Sequence, residues 1–157
     1  MPVRVFVSIG SNIGDRVLNC RKALDEIEKI SLSGVRASSF YSTEPWGDKD
    51  QGEFVNCVAE FTTDLPPEAL LKTLKSIEFS FGRVLTRRWG PRALDVDIIF
   101  YGDAVIDEDD LKIPHPEAQR RAFVLIPLIE LSPDFIHPKL EKSVKELLAE
   151  LKDGSAV

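Results

Sequence analysis

A chain of 157 residues with 43% hydrophobic content is long and apolar enough to bury one core, and no stretch has a linker's composition, so residues 1–157 are expected to form a single domain. Its net charge of −6 and pI near 5.0 argue against a general nucleic-acid or membrane-surface binder, which would carry a basic excess. No apolar run reaches membrane-spanning length. Met1 leads straight into strand-like sequence, without the charged start, apolar core and cleavage site of a signal peptide, so a cytoplasmic protein is expected. Cys20 and Cys57 lie far apart and form no CxxC or zinc-like spacing, which predicts buried, reduced thiols.

Val3 to Ile9 alternates apolar and polar residues and predicts a first strand. Gly10-Ser11-Asn12-Ile13-Gly14-Asp15 reads as a tight turn into a helix near Arg16 to Ile30, with Leu18, Leu24 and Ile27 as its buried stripe. Val35 to Thr43 predicts a second strand, the turn formers of Glu44 to Gly52 a loop, and Phe54 to Thr62 a third strand. Asp64 is placed to cap a second helix whose first turn tolerates Pro66 and Pro67. Leu70, Leu71, Leu74 and Ile77 keep helical spacing up to an end near Gly82. After the loop from Arg83 to Pro91, Ala93 to Tyr101 predicts a fourth strand. The order β-α-β-β-α-β is the ferredoxin-like split βαβ plan, so the expected class is α+β, with additional C-terminal strands and helices. From Gly102 onward, short apolar runs broken by Pro114, Pro116, Pro127, Pro133 and Pro138 read as decoration on one edge or face, with a closing helix from Ser143 to Leu151.

The segment Arg88-Trp89-Gly90-Pro91-Arg92-Ala93-Leu94-Asp95-Val96-Asp97 concentrates the chemistry: a basic, aromatic loop runs into a strand with two carboxylates at alternate positions. Side chains at i and i+2 share a face with Cα atoms about 6.6 Å apart, so Asp95 and Asp97 project together and can share divalent cations. Metals about 4 Å apart neutralise phosphoryl oxygens, and arginine supplies planar donors for the rest. The competing reading is the wet face of a strand whose other side is Leu94, Val96, Ile98 and Phe100. Positive charge is local, at Arg83, Arg87, Arg88 and Arg92 and again at Arg120 and Arg121. That suits a small anionic ligand, or else a solvated face. The loops from Glu44 to Gly52 and Arg83 to Pro91 each adjoin a strand with candidate ligands and read as lids.

The turn at Gly10 lacks both the GK[ST] ending of a P-loop and the GxGxxG of a dinucleotide fold. Phe54 and Asn56 share one strand face and offer a ring and an amide to a flat heterocycle, although a core Phe beside an edge-facing Asn would look the same. His115, between Pro114 and Pro116, joins Arg121 and Phe123 in a cluster of a titratable group, a permanent cation and a ring. His137 has no such company and receives no role. No serine has visible His and Asp partners for a hydrolase triad.

Together, Gly10-Ser11-Asn12, the Tyr41 to Asn56 region, Arg83, the Arg88 to Asp97 segment, and Pro114-His115 through Arg121 to Phe123 give a chain that resembles the 6-hydroxymethyl-7,8-dihydropterin pyrophosphokinases of folate biosynthesis. The resemblance implies that pyrophosphate passes from ATP to the pterin hydroxymethyl group, with attack at the β-phosphorus and release of AMP. It implies that Asp95 and Asp97 hold two Mg²⁺ ions, that Arg83 and Arg92 act with them in catalysis, and that Arg88, Trp89, Arg92, Ile98, Lys112, His115 and Arg121 contact ATP. Phe54 and Phe123 would sandwich the pterin, with Thr43, Pro45, Trp46, Asn56, Trp89 and Asp95 completing its pocket. Trp89 would ride on a closing lid. Glu44, Leu85, Asp110 and Lys112 depart from the common bacterial pattern, and Lys112 would replace part of an arginine contact with less geometric selectivity. The expected partners are these small molecules, with no nucleic acid, no membrane and a monomeric state.

Two rivals stay open. A split βαβ sheet can stack single-stranded bases, but this chain is acidic and lacks an RNP1-like motif. A kinase transferring only the γ-phosphate to another heterocyclic alcohol would carry similar residues, and its product would be ADP.

Overall fold

The computed structural model describes residues 2–43, 54–81 and 93–152. In chain order the elements are β1 (Val3–Ser11), α1 (Arg16–Glu28), β2 (Arg36–Ala37), β3 (Tyr41–Thr43), β4 (Phe54–Thr63), α2 (Pro67–Ser80) and β5 (Asp95–Tyr101). There follow β6 (Ile106–Glu108), β7 (Leu111–Ile113), a 3-10 turn (Ala118–Arg120), α3 (Ala122–Leu131) and α4 (Val144–Lys152). The main sheet runs β2-β4-β1-β5, with β3 also pairing β4, and β6 and β7 form a separate hairpin. β1 is central and antiparallel to both β4 and β5.

Because helices cover both faces of the sheet, β1 is buried from Val5 to Ser11. On one face Val5, Val7, Ile9, Cys57, Val96 and Ile98 pack against Cys20, Ala23 and Ile27 of α1 and Leu70, Leu74 and Ile77 of α2. On the other, Phe6, Val58, Ile99 and Phe100 meet Val124, Leu125 and Leu128 of α3 and Val144, Leu147 and Leu148 of α4. Each Val, Leu, Ile or Phe among them, fully buried, stabilises the fold by about 1.5–3 kcal/mol before conformational entropy is counted. Both thiols are free and buried as expected. Among the described residues no helix is long and apolar enough to cross a membrane.

Several local expectations need correction. Gly10 and Ser11 continue β1 rather than opening a turn; the bend lies beyond them, with Gly14 at φ +70° and Asp15 accepting from Leu18 N–H at 3.1 Å to cap α1. The stripe of α1 is Cys20, Ala23 and Ile27, while Leu18 is 43% exposed. The second strand is two short pieces, because Ser38 turns inward and its Oγ takes the Val58 N–H at 2.9 Å, substituting for a ladder bond. Pro66, not Asp64, is the N-cap of α2, without a side-chain bond. Pro127 does not break the chain: α3 runs through it and buries Val124, Leu125, Pro127 and Leu128, which offsets the about 3 kcal/mol that an interior proline costs. The C-terminal third is thus a full covering layer. Its last helix starts where expected, with Ser143 and Glu146 bonding each other's backbone N–H at 3.1 and 3.0 Å in a capping box.

Both lid loops, with Glu44, Pro45, Trp46, Arg83, Leu85, Arg88, Trp89 and Arg92, lie outside the described residues, as does the Thr43 side chain.

Candidate functional site

The pairing register builds the site. Gly10 lies between Asn56 of β4 and Asp95 of β5, and Ser8 between Val58 and Asp97. Asn56, Asp95 and Asp97 therefore project from the face that carries α3, at the end where Asp95, Asp97 and Phe54 are only half-buried. Gly10 has a packing reason for lacking a side chain: a Cβ there would stand 2.9 Å from Asn56 Oδ1 and 3.6 Å from the Phe54 ring. The glycine lets the amide and the ring lie flat against the central strand. Asn56 is 4% exposed.

Asp97 bears the electrostatic load. Burial, then the Asp95 carboxylate, push its carboxyl up to about 6, against partial relief from Lys75 and Arg121. Its side chain still keeps 37% of its exposure, so an incoming cation has access. His115 faces it with Nε2 4.0 Å from Asp97 Oδ2, beyond hydrogen-bonding reach. The imidazole is set by its own backbone. His115 N–H donates to Ile99 O at 3.0 Å, and Nδ1 accepts from Glu117 N–H at 3.1 Å, which puts the ring proton on Nε2. Burial and then Arg121 hold His115 down to about 4, so it is a neutral donor near pH 7. Arg121 opens α3, its guanidinium carbon 5.5 Å from the centre of the half-buried Phe123 ring.

Polar residues that the sequence reading passed over hold this constellation from behind. Glu78 on α2 has no exposure; its Oε2 accepts from Val96 N–H at 2.7 Å and its Oε1 lies 3.4 Å from Lys75 Nζ. The bond fixes the residue between the two aspartates. Asn19 on α1 brings Nδ2 within 3.2 Å of Ser11 Oγ, 3.0 Å of Ile13 O and 3.3 Å of Ala93 O, tying the end of β1 to the approach to Asp95. Glu130 on α3 accepts from Tyr41 Oη at 2.7 Å and from Ser39 N–H and Oγ, clamping β3 to the helix that bears Arg121 and Phe123. One signal was available for Glu78: it sits four and eight residues after Leu74 and Leu70, on the buried stripe itself.

The other expected residues are placed less directly. Ile98 is 6% exposed in the core of the opposite face, so a nucleotide would meet its backbone rather than its side chain. Lys112 is exposed and holds Asp107 at 2.7 Å across the β6–β7 hairpin. Among the described residues, no group of three His, Cys, Asp or Glu forms a metal cage. Asp95 and Asp97 still fit Mg²⁺, which is commonly held by one or two carboxylates with its other positions filled by phosphate oxygens and water. Burial and then the Asp95 carboxylate raise the Asp97 carboxyl, so a cation shared by the pair would be favoured there.

Residues 6–133 match the model of a family described as 7,8-dihydro-6-hydroxymethylpterin-pyrophosphokinase (HPPK). A protein of Aquifex aeolicus named 2-amino-4-hydroxy-6-hydroxymethyldihydropteridine pyrophosphokinase is 40% identical over 146 residues, 93% of this chain and 91% of that one. A protein of the same name from Haemophilus influenzae is 39% identical over 156 residues, covering 99% and 97% of the two chains. The folic acid synthesis protein FOL1 of Dictyostelium discoideum is 40% identical over 154 residues; there the match takes in 98% of this chain but spans only 23% of the relative. Among solved structures, a triple mutant of Plasmodium falciparum HPPK-DHPS shares the fold, with a TM-score of 0.75 across 100% of this chain and 46% of that one at 17% identity.

Proposed function

The chain belongs to the 7,8-dihydro-6-hydroxymethylpterin pyrophosphokinase family, and from that premise we propose that it transfers the terminal pyrophosphoryl unit of ATP to 6-hydroxymethyl-7,8-dihydropterin in folate biosynthesis. The observation that carries this reading is the carboxylate pair on β5, set beside Asn56, Phe54, His115 and Arg121 on one face. The sheet order suits a ferredoxin-like core in which β2 and β3 share the place of the second strand.

The hydroxymethyl oxygen of the pterin forms a bond to the β-phosphorus, the bridge between the α- and β-phosphates breaks, and AMP leaves with the bridging oxygen while the hydroxyl proton is lost. Asp95 and Asp97 would hold two Mg²⁺ ions, which supply charge neutralisation at the phosphate oxygens when bound. The protein positions and compensates charge. Phe54 and Phe123 flank the pterin ring and Asn56 reads its edge, with Thr43, Pro45 and Trp46 completing the pocket. His115 offers its Nε2–H, and Arg121 its fixed charge, to the triphosphate. Arg83, Arg88, Trp89, Arg92, Ile98 and Lys112 complete the nucleotide contacts. No strong general base is required, because the gain comes from alignment and preorganised charge.

The test is to incubate the protein with ATP, Mg²⁺ and 6-hydroxymethyl-7,8-dihydropterin and to separate the products. Pterin-dependent AMP with a pyrophosphorylated pterin is expected. ADP would replace the reading with γ-phosphate transfer, and a folded but inert protein would refute it.

A further inference from the structure

A cavity of about 180 Å³ lies against the β6–β7 hairpin, the Ile113–Pro116 segment and the turn after His137. Val105, Ile106, Pro114, Pro116 and Leu140 give it apolar walls. Lys112, Lys139 and Asp107 line it as well, so its charged groups carry a net positive sign. His137, to which no role was assigned from sequence, lines this cavity at only 3% exposure. Its Nδ1 accepts from the backbone N–H of Lys139 at 3.2 Å and of Leu140 at 3.0 Å, which closes a turn and puts the ring proton on Nε2. Among the described residues no acceptor meets that Nε2–H. Because no buried side-chain nitrogen or oxygen among the described residues lacks a partner, that nitrogen has accessible surface in the cavity, where a ligand oxygen can accept from it. Burial and then Lys139 hold the ring's proton affinity down, so it stays the neutral donor described.

Volume and lining narrow the ligand. A cavity of about 150 Å³ with apolar walls accommodates a six-membered ring, and the donor and ammonium groups add a preference for a negative acceptor. We infer that this cavity is a binding site for a small carboxylate with an apolar body, its carboxylate on His137 Nε2–H near Lys139 and its body against Val105, Pro114, Pro116 and Leu140. His115 and Lys112, both assigned to the nucleotide by the proposed function, are walls shared with the transfer site, His115 lining the cavity while its Nε2 faces Asp97. The inference stands on the cavity itself and does not require the transfer reaction.

Benzoate is a suitable probe, titrated into the full chain and followed through the backbone amides of Lys139 and Leu140 and the ring nitrogens of His137 by NMR. Saturable binding is expected, stronger than that of inorganic phosphate, which has no apolar body. His137→Asn keeps a side-chain acceptor to close the turn, while its shorter amide cannot place a donor where the Nε2–H stood. It should weaken benzoate by about tenfold while kcat of pyrophosphoryl transfer is unchanged. Val105→Trp, at a wall residue that is 55% exposed, should block the cavity without disturbing the core and is the second test if His137→Asn does not fold. Absence of saturation, equal affinity in Val105→Trp or in a folded His137→Asn, phosphate binding as tightly as benzoate, or displacement of benzoate by a non-hydrolysable ATP analogue would each overturn the assignment.

Discussion

At one end of the α3-covered sheet face, Glu60 receives Arg4 on one carboxylate oxygen and Arg36 on the other, the latter at 2.8 Å. Arg4 also donates to Ser132 Oγ at 2.9 Å and stacks over Phe6 and Phe135. At the other end of the same face, Asp97 sits beside Asp95 with its carboxyl displaced upward. Both ends hold carboxylates on the two strands that flank β1, Glu60 buried on β4 and Asp97 half-buried on β5. One is compensated by cations of its own chain. The other, on the proposed function, is left for a metal-bound nucleotide to compensate. Polar groups on a sheet face can therefore be separated into those that hold the fold and those that store cost for binding by asking where the countercharge comes from.

The comparison breaks most visibly at Asp97. Asp97→Ala should lower turnover by about 10²–10³-fold with an unchanged circular dichroism spectrum, because on the proposed function its carboxylate serves the transfer site and not the core. Turnover near the wild-type value with Mg²⁺ would remove the aspartate from the site. The support behind it comes next. Glu78→Leu should cost about 10–100-fold in metal-dependent turnover and speed amide exchange at Val96, whereas Glu78→Gln, which keeps an acceptor, should restore most of that protection. Unchanged exchange at Val96 in Glu78→Leu would show that the bond does not set the strand. Gly10→Ala drives a Cβ toward Asn56 Oδ1 and should raise the pterin KM by about tenfold with a smaller effect on kcat, read from steady-state kinetics. Equal loss in both constants would point to a general distortion. The smallest catalytic effect belongs to the opposite end: Glu60→Ala should lower stability by about 1–2 kcal/mol in urea unfolding and leave KM and kcat alone.

Strands and the carboxylate pair were legible because period-2 alternation and the i, i+2 rule act locally. What was not legible depended on partners distant in sequence. Val35 to Thr43 alternates like one strand, and only the Ser38 hydroxyl bonding across to Val58 divides it. Pro127 signals a break by local rules, and burial of α3 against Phe6 and Phe100 overrides them. Asn19 and Glu130 look like the solvated side of an amphipathic helix, and Glu78 interrupts an apolar stripe; the work of Asn19, Glu78 and Glu130 is done on Ala93, Val96 and Tyr41, which the topology brings to them. His137 likewise closes a turn through Nδ1, which no spacing of residues announces.

Thermal unfolding of the wild type and Asp97→Asn, with and without Mg²⁺ and a non-hydrolysable ATP analogue, tests the stored charge most directly. Asp97 titrates at about 6 in the folded chain against an ordinary 3.8, so the folded state binds the extra proton and stability falls as pH rises through that window, with the full deficit above it. Asp97→Asn should therefore melt higher than the wild type at neutral pH without ligand, with the gap closing as pH falls toward 3.8. Mg²⁺ with the analogue should then raise the wild type well above its unliganded value and the variant much less. A wild type that is already the more stable form without ligand at neutral pH, or equal gains in both proteins, would contradict the claim that this end of the sheet holds its charge for a metal-bound nucleotide.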